Sequence, residues 1–185
     1  MFVLFIGLGN ACSVMVGNKI GERDKETAFE YSRRFIIVTV AFSALGGALV
    51  FFSRGLIAGL YQVSDSARFD LMNIMTVYAF SSWLRAYNFM LFIGAFRAGG
   101  DTRYAMFTEL FSIWLIGVPA ALIGGFILHL PVYDVYALVL LEELVKAIVV
   151  TRRYLSRKWI HDLVNVTADS TPLLSAVEPD SASQP

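Results

Sequence analysis

The chain holds one cysteine, Cys12, and it lies inside an apolar run. That excludes an internal disulfide framework and a paired-thiol redox motif. The two histidines, His129 and His161, lie on different segments and make no zinc-type spacing, so no metal site is expected. No GxxxxGK[ST] phosphate loop occurs, which removes the usual means of hydrolysing ATP. Charge is scarce too: 16% of the 185 residues are charged and the formal net charge is zero. No basic surface for nucleic acid is expected from that balance, and no catalytic residue or organic cofactor stands out.

What is abundant is apolar sequence. The chain is 57% hydrophobic with a mean hydropathy of +0.63, far from the average soluble domain. A spanning helix needs about twenty mostly apolar residues, because the hydrocarbon core is roughly 30 Å thick. Five runs approach that: 1–18, 35–52, 71–95, 104–128 and 132–150. They are continuously apolar rather than alternating, which excludes barrel strands, and lipid leaves the backbone no partner but itself. The expected fold is an all-α integral membrane protein with five transmembrane helices in residues 1–163. Residues 164–185 are rich in Ser, Asp, Thr and Pro and read as a disordered polar tail. The first run has no basic flank and does not read as a signal peptide; it starts as though cut from a longer sequence.

Loop charges give an orientation. Lys19, Arg23, Lys25, Arg33 and Arg34 precede the second run, Arg97 and Arg103 lie in the third connection, and Arg152, Arg153, Arg157 and Lys158 follow the fifth run. The intervening connections carry only Arg54 and Arg68, so alternate loops hold eleven positive residues against two. The positive-inside rule then puts the N-terminus outside and the C-terminus in the cytoplasm of a cell membrane. Trp159 beside Arg157 and Lys158 reads as an interfacial anchor. Ser64 before Asp65 is a start signal for the third helix. Gly17 and Gly21 have GxxxG spacing, and Gly46, Gly47, Ala44 and Ala48 form a broader small-residue face.

Charges inside the spans are the functional candidates. Arg85 lies about ten residues from the cytoplasmic end of its helix, roughly 15 Å deep, with Asn88 on the same face. Glu142 and Glu143 lie at similar depth, and Lys146 follows them at i+4 and i+3, the favourable order. Glu109 enters only about five residues, roughly 8 Å. Two readings of these groups stay open: they line a cavity that binds a cation or exchanges a proton, or they are an internal ion pair that tolerates burial. For Glu109 a third is contact with interfacial water. Pro119 removes a backbone donor and frees the Leu115 carbonyl, which predicts a kink in the fourth helix.

Four stretches, in order, carry a resemblance: Ala11–Gly21; Phe96-Arg97-Ala98-Gly99-Gly100-Asp101-Thr102-Arg103; Trp114-Leu115-Ile116-Gly117-Val118-Pro119-Ala120; and Glu142-Glu143 through Lys146 to Trp159. Across essentially residues 1–163 the chain resembles the C-terminal part of a multidrug and toxic compound extrusion (MATE) transporter. The resemblance implies helices eight to twelve of a twelve-helix, two-lobe fold that exchanges cationic or amphipathic compounds for sodium ions or protons. It implies as partners the lipid bilayer, a small-molecule substrate and an N-terminal lobe on the same or a separate chain. Where that family often carries aspartate early in the eleventh helix, this chain has Glu109. Two alternatives stand beside multidrug antiport: a truncated membrane protein that does not transport, and a permease subunit needing a separate partner.

Overall fold

The computed structural model describes residues 2–161. The segment read above as a polar tail, 164–185, lies outside the described residues. The described residues form five helices and no strand. Helix α1 is Phe2–Gly21 and α2 is Lys25–Leu60. Helix α3 begins as Asp65–Phe89 and runs on as wider π-type turns over Met90–Phe96. Helix α4 begins as Thr102–Ser112 and continues to Ile127 through two π-type stretches, Ile113–Gly117 and Ile123–Ile127. Helix α5 is Val132–Leu155.

The ends follow from local chemistry. Asp24 caps α2 by accepting from the Thr27 N–H at 3.1 Å, so helix starts ten residues before the apolar run and absorbs most of the basic connection. Those hydrogen bonds also hold the Asp24 carboxyl below the usual carboxylate range. Ser64 caps α3 through the Ala67 N–H at 3.4 Å. The far end of α3 closes through Gly100, at φ 80°, with the Asp101 N–H on the Phe96 carbonyl at 2.9 Å. A side chain would be strained at Gly100.

Three helices are long and apolar enough to cross a membrane by length and composition: α1 over Val3–Gly21, α2 over Lys25–Leu60, and α4 over Thr102–Ile127. The sequence reading has five such spans. Helices α3 and α5 fall short because they carry the polar groups: Ser81, Ser82, Arg85 and Asn88 in one, Glu142, Glu143 and Lys146 in the other. Large apolar side chains stand exposed on the outside of the bundle, among them Leu49, Phe52, Phe80, Trp114 and Phe126, as lipid-facing helices require.

Helix α2 packs along α3, α1 against α2 and the π-type part of α3, and α5 against α3 and α4. The buried apolar core gathers at one end of the bundle, where Val16, Ile20, Ala28, Phe96, Val150, Tyr154 and Trp159 meet. Trp159 corrects a sequence expectation. It is fully buried, not an interfacial anchor. Its ring stacks on Tyr154 at 5.7 Å, its indole N–H donates to the Tyr154 carbonyl at 3.1 Å, and Phe96 lies against it at 6.4 Å. The turn after α5 folds the ring inward, because burying an indole with its N–H satisfied outweighs placing it at the interface.

Gly99 makes that burial possible. A Cβ there would stand 2.5 Å from the Trp159 ring, and the Gly99 carbonyl accepts from the His161 N–H at 3.1 Å. Gly17 and Gly21, by contrast, have nothing within 4 Å of where a Cβ would be, so their GxxxG spacing serves no close packing among the described residues. Replacing Gly99 with alanine is expected to cost about 1–3 kcal/mol through overpacking. The measurement is a thermal melt in detergent, with Gly17→Ala as control: G99A falls and G17A does not. Equal melts would remove the Gly99–Trp159 contact as a structural constraint.

Candidate functional site

Lys146 is the hub of the polar groups on α3, α4 and α5. Its side chain is 3% exposed. The ammonium donates to Glu109 Oε1 at 3.0 Å across to α4. It lies 2.7 Å from Glu142 Oε1 and 3.8 Å from Glu143 Oε1 on its own helix. The Glu142 contact is an ion pair outside hydrogen-bond geometry, so that oxygen has no hydrogen-bond partner. Asn88 of α3 ties in the third helix, donating from Nδ2 to the Glu143 carbonyl at 3.0 Å and to Glu143 Oε2 at 2.7 Å. Glu109, shallow by residue count, is thus brought onto a buried base, because the Lys146 stem is long enough to reach toward it.

Helix α4 is shaped around this contact. Its hydrogen-bond ladder shifts by one residue over Ile113–Gly117, the Val118 N–H bonding to the Ile113 carbonyl. Pro119 follows directly, so its missing donor is absorbed in a helix that continues to Ile127. Gly117 lies over Glu142: a Cβ there would come within 3.1 Å of Glu142 Oε2. The absence of a side chain lets the Glu142 carboxylate sit against the α4 backbone.

Beside the hub lies a cavity of about 600 Å³ bounded by all five helices. Of the residues singled out in the sequence, Arg85, Asn88, Arg97, Glu109, Glu143 and Lys146 line it. Glu142, Gly99, Gly100, Asp101 and Pro119 do not. Glu142 backs Lys146 from behind the wall. Asp101 is buried at the core end, where its Oδ2 accepts from Arg153 Nε at 2.8 Å and its Oδ1 lies 3.7 Å from His161 Nε2. Gly99 and Gly100 shape the turn that carries Asp101 there. Arg85 has no carboxylate partner among the described residues; its guanidinium stands over the Tyr136 ring at 5.4 Å.

Residue reading missed Phe5, Ser43, Tyr78, Ser82, Phe89 and Phe92, which also line the cavity. Ser43 and Ser82 were findable as hydroxyls inside apolar runs; Ser82 Oγ donates to the Ser43 carbonyl at 3.3 Å and links α2 to α3. The aromatic members look like any other core residue in a linear sequence.

The MatE family model matches residues 1–123. The chain belongs to the MatE family. It is 27% identical over 86% of its length to "Uncharacterized transporter YisQ" of Bacillus subtilis, covering 35% of that protein. It is 30% identical over 67% of its length to "Probable multidrug resistance protein NorM" of Photorhabdus laumondii, covering 26% of it. It is 26% identical over 85% of its length to "Protein DETOXIFICATION 22" of Arabidopsis thaliana, covering 32% of it. The chain therefore spans about a third or less of the length of these relatives. No solved structure matches it. Family and helices together make it a multi-pass membrane protein.

Removing the hub cation leaves three acids without it. Lys146→Met is expected to destabilise the bundle by about 3–5 kcal/mol, the cost of an uncompensated buried charge. Adding Glu142→Gln should recover part of that loss. Thermal melting of the single and double variants reads this. If K146M melts like the wild type, the ammonium is not holding the helices.

Proposed function

We propose that this chain forms helices eight to twelve, most of the C-terminal lobe, of a multidrug efflux transporter. It works by antiport: a cationic or amphipathic compound leaves as a sodium ion or proton enters. What supports the placement is the order of the four sequence stretches, and what supports the activity is what the Photorhabdus and Arabidopsis relatives are called, a multidrug resistance protein and a DETOXIFICATION protein. The observation that carries the reading is the cavity. Its aromatic walls stand beside two acids, Glu109 and Glu143, which together with Glu142 behind the wall surround a single buried ammonium. Immediately around Lys146 the acids outnumber the base three to one, while Arg85 and Arg97 on the same cavity wall bring the whole to balance. The local surplus at the hub is what draws a small cation.

In this reading Glu109 and Glu143, which both face the cavity, exchange Lys146 for the entering ion. Glu142, behind the wall, keeps the lysine in place. Arg85 and Asn88 line the substrate side, and Arg97 its basic rim. The chain has no role as an enzyme in this scheme. It sits in the cell membrane with the N-terminus of α1 outside and the end of α5 in the cytoplasm, following the loop charges. Antiport by alternating access requires a second lobe across the cavity.

The test is ethidium accumulation in an efflux-deficient host. The chain joined to the N-terminal part of the Photorhabdus relative is expected to lower accumulation, and Glu143→Gln in that fusion to abolish most of the effect. The chain by itself is expected to leave accumulation unchanged. Extrusion by the unjoined chain, or full activity of the E143Q fusion, contradicts the proposal.

A further inference from the structure

The small-residue face on α2 does two jobs on two sides. Gly47 presses α2 against α3, where a Cβ would fall 2.5 Å from the Ala79 carbonyl oxygen. On the outside of that contact the same face leaves a groove of about 290 Å³. Ala44, Gly47 and Ala48 border it with Phe51, Phe80 and Trp83, and no charged side chain enters it. Phe51 and Phe80 meet edge to face at 5.6 Å, and Phe80 stands 68% exposed.

Arg54 marks one end of this groove. Its guanidinium stands over the Phe51 ring at 4.0 Å and donates to the Thr76 hydroxyl. It has no carboxylate partner among the described residues. Its depth is informative. From Arg34 to Arg54 is 54 − 34 = 20 residues of continuous helix, about 30 Å at 1.5 Å per residue. That equals the hydrocarbon thickness, so with Arg33 and Arg34 in one headgroup layer Arg54 lies in the other. A cation without a counter-anion is therefore held at phosphate depth, at the mouth of an apolar slot that runs back toward the bilayer centre.

We propose that the α2–α3 groove is a phospholipid site: one acyl chain lies along Ala44, Ala48 and Trp83, and the headgroup phosphate binds Arg54. The guanidinium pairs with phosphate oxygens by two parallel N–H bonds, which favours a lipid of net negative charge. A second helix suits the slot less well. Close helix contact needs an open small-residue surface, and here the Phe80 and Trp83 rings border it. A helix would also have to bring an acid to Arg54. The inference does not depend on the transport reading; it requires only that the bundle sits in a bilayer.

Trp83 supplies the readout, since it borders the groove. The full chain carrying Trp114→Phe is placed in phosphatidylcholine vesicles, with Trp159 buried and out of reach of lipid. Brominated phosphatidylglycerol and brominated phosphatidylcholine are then compared as quenchers at equal mole fraction. The expected result is stronger quenching by the phosphatidylglycerol. The excess should be lost in Arg54→Gln, retained in Arg54→Lys, and reduced in Ala44→Phe, which fills the slot, with thermal melts of all variants confirming the fold. Equal quenching by the two lipids means ordinary surrounding lipid and overturns the site. So does an excess that survives R54Q. Absence of quenching at Trp83 means that another helix covers the groove, which also overturns it.

Discussion

One buried ammonium couples three of the five helices. Moving Lys146 out of water costs several kcal/mol. A single carboxylate about 4 Å away returns roughly 4 kcal/mol at an effective dielectric constant of about 20, which barely offsets that cost. Three carboxylates around it change the balance in its favour. Glu142 and Glu143 come from its own helix, Glu109 from α4, and Asn88 fastens Glu143 to α3. In lipid there is little hydrophobic drive between helices, so polar contacts of this kind and close backbone approach do most of the holding. Gly117 supplies the close approach beside the hub, and Gly47 supplies it between α2 and α3.

The opposite demand is met at the basic end of the bundle. There the chain builds an apolar core of the kind that soluble domains use: Trp159, Tyr154 and Phe96 pack together over Gly99, and Asp101 holds Arg153. Ser32 and the Tyr154 hydroxyl share a hydrogen bond at 2.7 Å, and Arg157 pairs with Glu26, so the start of α2 is tied to the end of α5. Two stretches far apart in sequence, Phe96–Arg103 and Ser156–Trp159, thus form one closed structure. The cavity reaches from Arg97 and Thr102, next to this end, past the hub to Ser82 and Tyr78.

Much of this was legible in the sequence, for reasons that can be named. Helix type followed from continuous apolar runs, and the start of α3 from Ser64. That Lys146 pairs with Glu142 or Glu143 followed from i, i+4 and i, i+3 spacing, and the shorter contact is to Glu142. Three things were not legible. Asp24 extended α2 into a loop because a cap acts on a local N–H that hydropathy does not see. Glu109 met Lys146 because the contact is between helices, and depth counted along one helix says nothing about a neighbour's reach. Trp159 turned inward because its fate depended on a glycine sixty residues earlier, 159 − 99. The same limit hid the aromatic half of the cavity, since Phe5, Phe89 and Phe92 come together only in three dimensions.

The central claim is that the acids around Lys146 couple a cation to substrate movement. The direct measurement is substrate flux in proteoliposomes holding the chain fused to an N-terminal lobe of the family. A sodium or proton gradient is imposed and ethidium movement is followed by fluorescence. The account predicts that one of the two gradients drives uphill ethidium movement, and that Glu109→Gln together with Glu143→Gln leaves only passive equilibration. Gradient-driven movement that survives loss of both acids would place the coupling elsewhere and contradict it.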